Sequence, residues 1–360
     1  MKARGLLALV LALSVHAVSA FGYEDALDQG TVIPGISARS LLMGGAMAIG
    51  YGDPTSVLLN PANLGRVSAP GIEFNVGPGI ATENIEDSLG RHSRSYIGLG
   101  PTSIAARIPA GRSLTFGAGM ARVTDYSYDG LHYLAEDPLM PGFITGEERF
   151  NSSGGLWEAV AGGSFRVARW LTLGLSAGPR FGSADLEYEF IDRVGEEDST
   201  ESWSVDENAL CIHAGATLPL GLNSFSVAWI SGSDDYPSRV AAGAIFHSGG
   251  TAEGFSVGLE GEVRSPGDSS TVIGRVSTRF TPNPGFIFGA GLSFADRGSG
   301  SGSSNLGLSL GVSISLGKAV LNGSFAFLNS KRDETAFGFE GFDEVEDRIG
   351  YFGLGLDWTL

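Results

Sequence analysis

Three copies of Gly-x-Ser-x-Gly are the first candidates for chemistry: Gly174-Leu175-Ser176-Ala177-Gly178, Gly254-Phe255-Ser256-Val257-Gly258 and Gly307-Leu308-Ser309-Leu310-Gly311. In an acyl hydrolase this pattern forms a strained turn from strand into helix that presents the serine as nucleophile. Here each copy lies in a stretch that alternates apolar with small residues, so its Gly and Ser read as the small face of a strand. The expectation is that the protein is not an enzyme. His16, His92, His132, His213 and His247 are scattered, with no H-E-x-x-H spacing, and Cys211 is the single cysteine. That excludes an internal disulfide and a cysteine cluster and leaves catalytic zinc without support. No glycine-rich phosphate loop precedes a helical pattern, so neither a metal nor a cofactor is expected. A net charge of −17 argues against nucleic acid as a partner. The acid is concentrated: ten Asp or Glu and one basic residue, Arg193, lie between Asp185 and Glu207, and a second group runs from Asp333 to Asp347. Neither has an EF-hand pattern. Solvated loops explain both groups, and contact with divalent ions or lipid headgroups is the sharper alternative.

The elements that would position these residues are strands. Gly supplies 55 of 360 residues and charged types 18%, against about 7% and 25% in ordinary soluble chains. Such a composition fits a sheet with one face in lipid and the other in a polar lumen. In 305–316, Leu306, Leu308, Leu310, Val312, Ile314 and Leu316 alternate with Gly307, Ser309, Gly311, Ser313 and Ser315. Counting such stretches predicts about fourteen strands. They fall at 71–80, 95–108, 112–124, 155–167, 170–182, 208–218, 222–231, 238–247, 253–264, 271–280, 285–296, 305–316, 318–328 and 348–359. The connections alternate between short, as at Pro109-Ala110-Gly111 and Gly317, and long, as at 81–94, 125–154, 183–207 and 329–347. An all-β, transmembrane, antiparallel up-and-down barrel requires that alternation. Closure is also required, because unpaired strand edges cannot face lipid.

With Leu and Phe outward, the opposite face places Glu73, Glu158, Arg166, Arg180, His213, Arg239, Glu260, Glu262, Arg275 and Arg279 along the lumen. Both signs occur there, which favours pairing over a one-sign ion filter. Pro101 lies in the second strand beside Gly98 and Gly100. Proline removes a ladder hydrogen bond and glycine weakens a strand, so this is the expected place for the wall to kink.

Residues 1–20 read as an export signal. Lys2 and Arg4 precede an apolar run from Gly5 to Val15, and Val18-Ser19-Ala20 is a small-residue cleavage pattern. The run is too short for a transmembrane helix. No cysteine follows the cleavage site to carry a lipid anchor. Residues 21–70 would then form a segment inside a barrel built from 71–360.

That segment carries the most specific local pattern. Ser37 to Ala46 is apolar and Gly-rich without strand alternation. Asp53-Pro54 offers a helix N-cap and a first-turn proline. Thr55 to Leu59 suits one or two helical turns, and Asn60-Pro61-Ala62 ends them. The series Ala38-Arg39-Ser40-Leu41-Leu42-Met43-Gly44-Gly45-Ala46, Asp53-Pro54-Thr55-Ser56 and Asn60-Pro61-Ala62-Asn63-Leu64 resembles the start of PorV/PorQ-type proteins, relatives of the FadL long-chain fatty-acid transporters. Two positions depart from the family pattern, which usually has Asp-Asp or Asp-Ala at 53–54 and Gly at 63. Outer-membrane barrels typically end in an aromatic residue, whereas this chain ends Trp358-Thr359-Leu360.

The resemblance implies a bacterial outer-membrane protein whose N-terminal segment is a hatch in the lumen. The matching hatch positions are Arg39, Gly44, Gly45, Asp53, Pro54, Ser56, Asn60, Pro61 and Ala62. On the FadL side it implies passage of small hydrophobic compounds. On the PorV side it implies a barrel that binds secreted proteins for release or attachment in type IX-like secretion. The expected partners are outer-membrane lipid and either a hydrophobic small molecule or a secreted protein.

Overall fold

Alternation becomes a wall when each strand pairs with its sequence neighbour. A computed structural model of the chain describes residues 31–87, 90–136, 139–140, 143–192, 198–248, 254–265, 270–297, 304–332 and 342–360. The export signal at 1–20 and most of the acidic group 333–347 lie outside the described residues. The described elements are β1 (Thr31–Val32), α1 (Ala38–Leu42), α2 (Ser56–Leu59), a 3-10 helix (Pro61–Arg66), β2 (Gly71–Val76), β3 (Pro78–Asp87), β4 (Gly90–Leu99), β5 (Ser103–Ala110), β6 (Leu114–Asp125) and β7 (Tyr128–Glu136). They continue with β8 (Ile144–Ala168), β9 (Leu171–Asp192), β10 (Ser199–Leu220), β11 (Asn223–Ile230), β12 (Ser238–Ser248), β13 (Gly254–Ser265), β14 (Thr271–Asn283), β15 (Phe286–Arg297), β16 (Ser304–Leu316), β17 (Ala319–Arg332) and β18 (Phe342–Thr359).

β2 with β3, β4 with β5, and β6 with β7 are the two halves of single interrupted strands, so the wall has fourteen antiparallel strands. It closes where β18 pairs with both β2 and β3. Gly111, Gly221 and Gly317 turn the chain at the short-loop end with φ of 82°, 70° and 72°, a region that favours glycine. The faces follow the alternation: Leu310 is 51% exposed on the outer face and Ser309 1% exposed on the inner.

The expected long loops at 81–94, 125–154 and 183–207 are instead mostly strand. β8 runs 25 residues and β9 and β10 run 22 each, whereas crossing a bilayer takes about 9–11. The surplus is a β-hairpin extension at the long-loop end. On β9 its alternation is reversed, with Ala184, Leu186 and Tyr188 inward and Asp185, Glu187 and Glu189 on the other face, and β9 and β10 stay in register from Phe190–Ser199 to Thr172–Thr217.

The second correction concerns the start of the wall. Pro101 does not lie within a strand; it sits at a bend between β4 and β5. The neighbouring strands are interrupted at the same height, at Gly77 and at residues 126–127. Asp125 organises the last interruption, its carboxylate accepting from Ser127 N (3.0 Å), Ser127 Oγ (2.7 Å) and Arg122 Nη2 (2.9 Å). This Asx-type turn draws the chain out of the ladder. Beyond the bend, no backbone pair joins β4 to β7 among the described residues. The freed edge of β6 pairs instead with β1, Thr31 opposite Asp125 and Val32 opposite Thr124, and Ile33 N donates to Val123 O (3.0 Å).

Candidate functional site: the segment inside the barrel and its seat

Residues 33–66 lie within the wall, and their short elements are set by local chemistry. Ser37 caps α1 reciprocally with Ser40, as a capping box. Gly44 and Gly45 then turn the chain at φ 75° and 78°. A side chain at Gly45 would also strike the Pro34 carbonyl at 1.8 Å, so the position excludes any other residue twice over. Asp53 is not the N-cap expected from the sequence. α2 starts at Ser56 with Thr55 at its cap, and the Asp53 carboxylate accepts from the Thr55 and Ser56 hydroxyls (3.0 and 3.1 Å). α2 does end before Asn60-Pro61. Rather than stopping helical structure, however, Asn60 caps the 3-10 helix through Ala62 N (3.2 Å), with Pro61 at its first position. Proline suits that place because the N–H it lacks would have no partner there.

The wall supplies a matching seat. Glu260 accepts three consecutive backbone N–H groups, from Met47 (2.8 Å), Ala48 (2.7 Å) and Ile49 (3.0 Å). Hydrogen bonds to a charged group contribute about 1.5–3 kcal/mol each, so this carboxylate is a principal anchor. Arg275, its register partner, holds Glu260 Oε1 (3.0 Å) and donates to Gly44 O (3.1 Å). Arg275 also pairs with Glu262 (2.6 Å), which pairs with Arg239 (2.7 Å) and Arg264 (2.8 Å). A buried carboxylate without cations would be untenable, and this alternation of sign keeps each charge compensated. Elsewhere Arg39 pairs with Asp357 (3.2 Å), Ser103 Oγ donates to Ile36 O (2.6 Å), Thr217 Oγ1 donates to Asn63 Oδ1 (2.9 Å), and Arg107 donates to Gly52 O. Glu73 faces Thr55, accepting from its hydroxyl at 3.3 Å.

The Gly-x-Ser-x-Gly copies belong to this seat. All three lie within strands, at β9, β13 and β16. Ser176 Oγ donates to Val57 O (2.7 Å) and Ser309 Oγ to Leu42 O (3.3 Å). A side chain at Gly174 would meet Ala62 N at 2.1 Å, and one at Gly215 would meet Asn60 Oδ1 at 1.9 Å. The small residues make room for the inner segment.

Toward the long-loop end the lumen differs from the expected polar one. Tyr126, Tyr128, Phe150, Leu156, Leu186 and Tyr236 are buried together and pack against Leu41, Met47 and Ala48 of the inner segment. Beside this apolar layer, at the interrupted strands, is a recess of about 720 Å³ lined by Ile97, Gly98, Arg122, Ser127, Gly154, Gly155, Trp157, Phe181, Gly182 and Ser183. Arg122 spans it, paired with Asp125 (2.9 Å) and donating to Gly154 O.

Of the ten expected lumen residues, Glu73, Glu158, Arg180, His213, Arg239, Glu260, Glu262 and Arg275 are buried inside the wall. Arg166 and Arg279 also face the inner segment but are less buried: Arg166 is exposed and donates to Gly65 O (3.1 Å), and Arg279 is half-buried over the Tyr51 ring, 4.1 Å from its centroid. Asn75, Ser103, Arg107, Thr217 and Asp357 contribute to the seat without having been singled out. Asp357 carried a usable signal, a lone acid at inward parity between Leu356 and Trp358. Arg107 lies in the least cleanly alternating stretch and carried none.

No family model matches the chain, and no curated protein matches it. Solved structures do. The Pseudomonas putida toluene transporter TodX superposes with a TM-score of 0.67 at 15% identity, covering 92% of this chain and 99% of that one. A Pseudomonas aeruginosa FadL homologue gives 0.66 at 11% identity, covering 92% and 99%. The monoaromatic hydrocarbon channel CymD gives 0.57 at 12% identity, covering 91% and 98%. At these identities the likeness is one of fold: the chain shares the fourteen-stranded barrel and preceding N-terminal segment of FadL-type structures.

Proposed function

We propose that the protein is a bacterial outer-membrane channel for small hydrophobic compounds, in which residues 31–66 act as a hatch. The observation that carries this reading is the apolar, aromatic layer inside the wall, with a recess beside it at the interrupted strands. A compound dissolved in the lipid or at its outer edge meets Ile97, Trp157 and Phe181 on the recess lining and Tyr126 and Tyr128 just inside. The hatch closes the route below that layer, and its anchors are hydrogen bonds and ion pairs that a small shift can exchange. The fold shared with TodX and CymD, described as a toluene transporter and a hydrocarbon channel, supports the same class of cargo.

The test is a barrel lacking residues 37–64, with folding checked by heat-modifiable mobility. In liposomes it is expected to leak small polar solutes and to lose gated uptake of a hydrophobic dye. Unchanged permeability and uptake would overturn the hatch.

A second reading, docking of secreted proteins, is favoured by the β8–β9–β10 extension beyond the bilayer. Trimming that extension leaves dye uptake intact under the channel reading. Under the docking reading it abolishes retention of a secreted protein.

A further inference from the structure

Glu158 on β8 and Cys211 and His213 on β10 all point inward and are fully buried, at 1%, 0% and 0% exposure. One ligand atom from each lies within 4.8 Å of the others. His213 Nε2 stands 3.1 Å from Glu158 Oε2, but the contact lacks the alignment of a hydrogen bond, and neither ring nitrogen has a hydrogen-bond partner. Nε2 is thus within ion-pair distance of a carboxylate but makes no aligned hydrogen bond, and a buried imidazole nitrogen without a hydrogen bond is costly.

We propose that these three side chains bind a zinc-type divalent ion that staples β8 to β10 behind the hatch. Two ligand atoms on a tetrahedral zinc, each about 2.0–2.1 Å from the metal, stand about 3.3 Å apart. The Nε2 to Oε2 separation already approximates that spacing. A thiolate, an imidazole and one carboxylate oxygen form a borderline-soft donor set that selects zinc over calcium or magnesium, which take oxygen ligands.

The surroundings suit the role. Arg180 holds the other oxygen of Glu158, with Nε at 2.9 Å and Nη2 at 2.6 Å from Oε1, which leaves Oε2 for the ion. Ligating carboxylates are characteristically oriented by such an outer partner. Cys211 Sγ now donates to Gly178 O at 3.2 Å. On binding, the S–H bond breaks, the proton leaves to solvent and the sulfur bonds the metal, so one proton is released per ion. The remaining coordination position is open to a water. Beside the site, Cys211 packs with Val57 and Leu58 of α2, so the ion would stiffen the wall on which the hatch rests. The far parts of β9 and β10 carry Asp185, Glu187, Glu189, Asp192, Glu201, Asp206 and Glu207, and these carboxylates attract cations toward that end of the barrel.

The test uses the purified full-length mature barrel, reduced, with Co2+ as a spectroscopic probe and Zn2+ in competition. The expected result is one equivalent of Co2+ with a thiolate-to-metal charge-transfer band in the near ultraviolet, tetrahedral visible bands, one proton released per ion, and displacement of both band sets by Zn2+. Cys211→Ser should lose the near-ultraviolet band, and His213→Gln should weaken binding, with both variants retaining heat-modifiable mobility. Absence of a thiolate band in the wild type overturns the site, as does a band that survives in Cys211→Ser. The wild-type spectrum and proton count decide the question even if a variant does not fold.

Discussion

The wall from β13 to β16 and the wall from β2 to β7 are built from the same kinds of residue but do different things. β13 pairs with β14 over eleven consecutive positions and β15 with β16 over eleven more. The inner face of this side holds the inner segment through Glu260, Arg275 and the space left by Gly289 and Gly291. In the β2–β7 wall three neighbouring strands are interrupted at one height, and the exposed edge is completed by β1 from the N-terminal segment. Both sides anchor the inner segment, the first through Glu260 and Arg275 and the second through Glu73, Ser103 and Arg107. Only the second also leaves an edge in the wall that the segment itself covers.

The anchored side predicts the largest effect. Glu260→Gln takes from Arg275 one of its two carboxylate partners, leaving Glu262, and weakens the acceptor for Met47, Ala48 and Ile49. Breaking a buried pair from one side costs about 3–5 kcal/mol. Urea unfolding should register that loss, and planar-bilayer conductance should rise as the hatch loosens. Glu201→Gln, on the exposed β10 extension, should do neither. Equal behaviour of the two variants would break the contrast between a seat and a surface.

A second effect separates the membrane-spanning wall from its extension. Arg in place of Leu310 puts a charge on the lipid face and should cost about 2–4 kcal/mol near the bilayer midplane. Arg in place of Ser204, exposed on β10, should stay within about 0.5 kcal/mol because that stretch stands in water. Ser309 is no fair control for Leu310. Its hydroxyl bonds the hatch at Leu42 O, so an Arg there displaces the hatch as well as facing the lumen. A similar cost at Leu310 and Ser204 would put the β9–β10 extension inside the bilayer.

The regular wall was legible because its signal is local. Leu306 to Leu316 alternates with Gly and Ser, and β16 begins and ends within a residue of the predicted span. The inward charges were equally visible as exceptions to alternation, Glu260 and Arg275 among them. Their pairing was not, since register between strands decides that Glu260 faces Arg275 and Glu158 faces Arg180. The β9 extension does alternate, Ala184, Leu186 and Tyr188 inward against Asp185, Glu187 and Glu189, but its apolar face points in and its acid out, the reverse of the lipid-facing pattern used to find the strands. The apolar layer escaped for the opposite reason. Phe150, Leu156 and Leu186 come from segments read as loop or as strand margin, so no facing pattern tied them together. Asp125, which opens the wall through a turn of its own side chain, had no flag beyond a common Asp-x-Ser.

The interrupted side gives the smallest change in stability and the sharpest functional one. Proline at 101 has no N–H to give, and the chain bends there, with Gly100 N donating to Gly77 O (2.8 Å) across the interruption. Pro101→Val restores a donor and favours extended backbone, so strand two is expected to run straighter past the bend. That draws β4 toward β7 and narrows the recess bounded by Ile97, Gly98 and Ser127. Unfolding free energy should change by no more than about 1 kcal/mol, the usual scale for a compatible exchange at proline. Uptake of the hydrophobic dye should nevertheless fall, while leakage of polar solutes stays low because the Glu260 and Arg275 anchors on the opposite wall are unchanged. Pro109→Val is the control: it lies in the same wall strand, but next to the short turn and paired with Thr115, remote from the recess. If Pro101→Val and Pro109→Val leave uptake equally unchanged, the bend is only a bulge in the wall. Hydrophobic cargo would then have to descend through the apolar layer from the long-loop end.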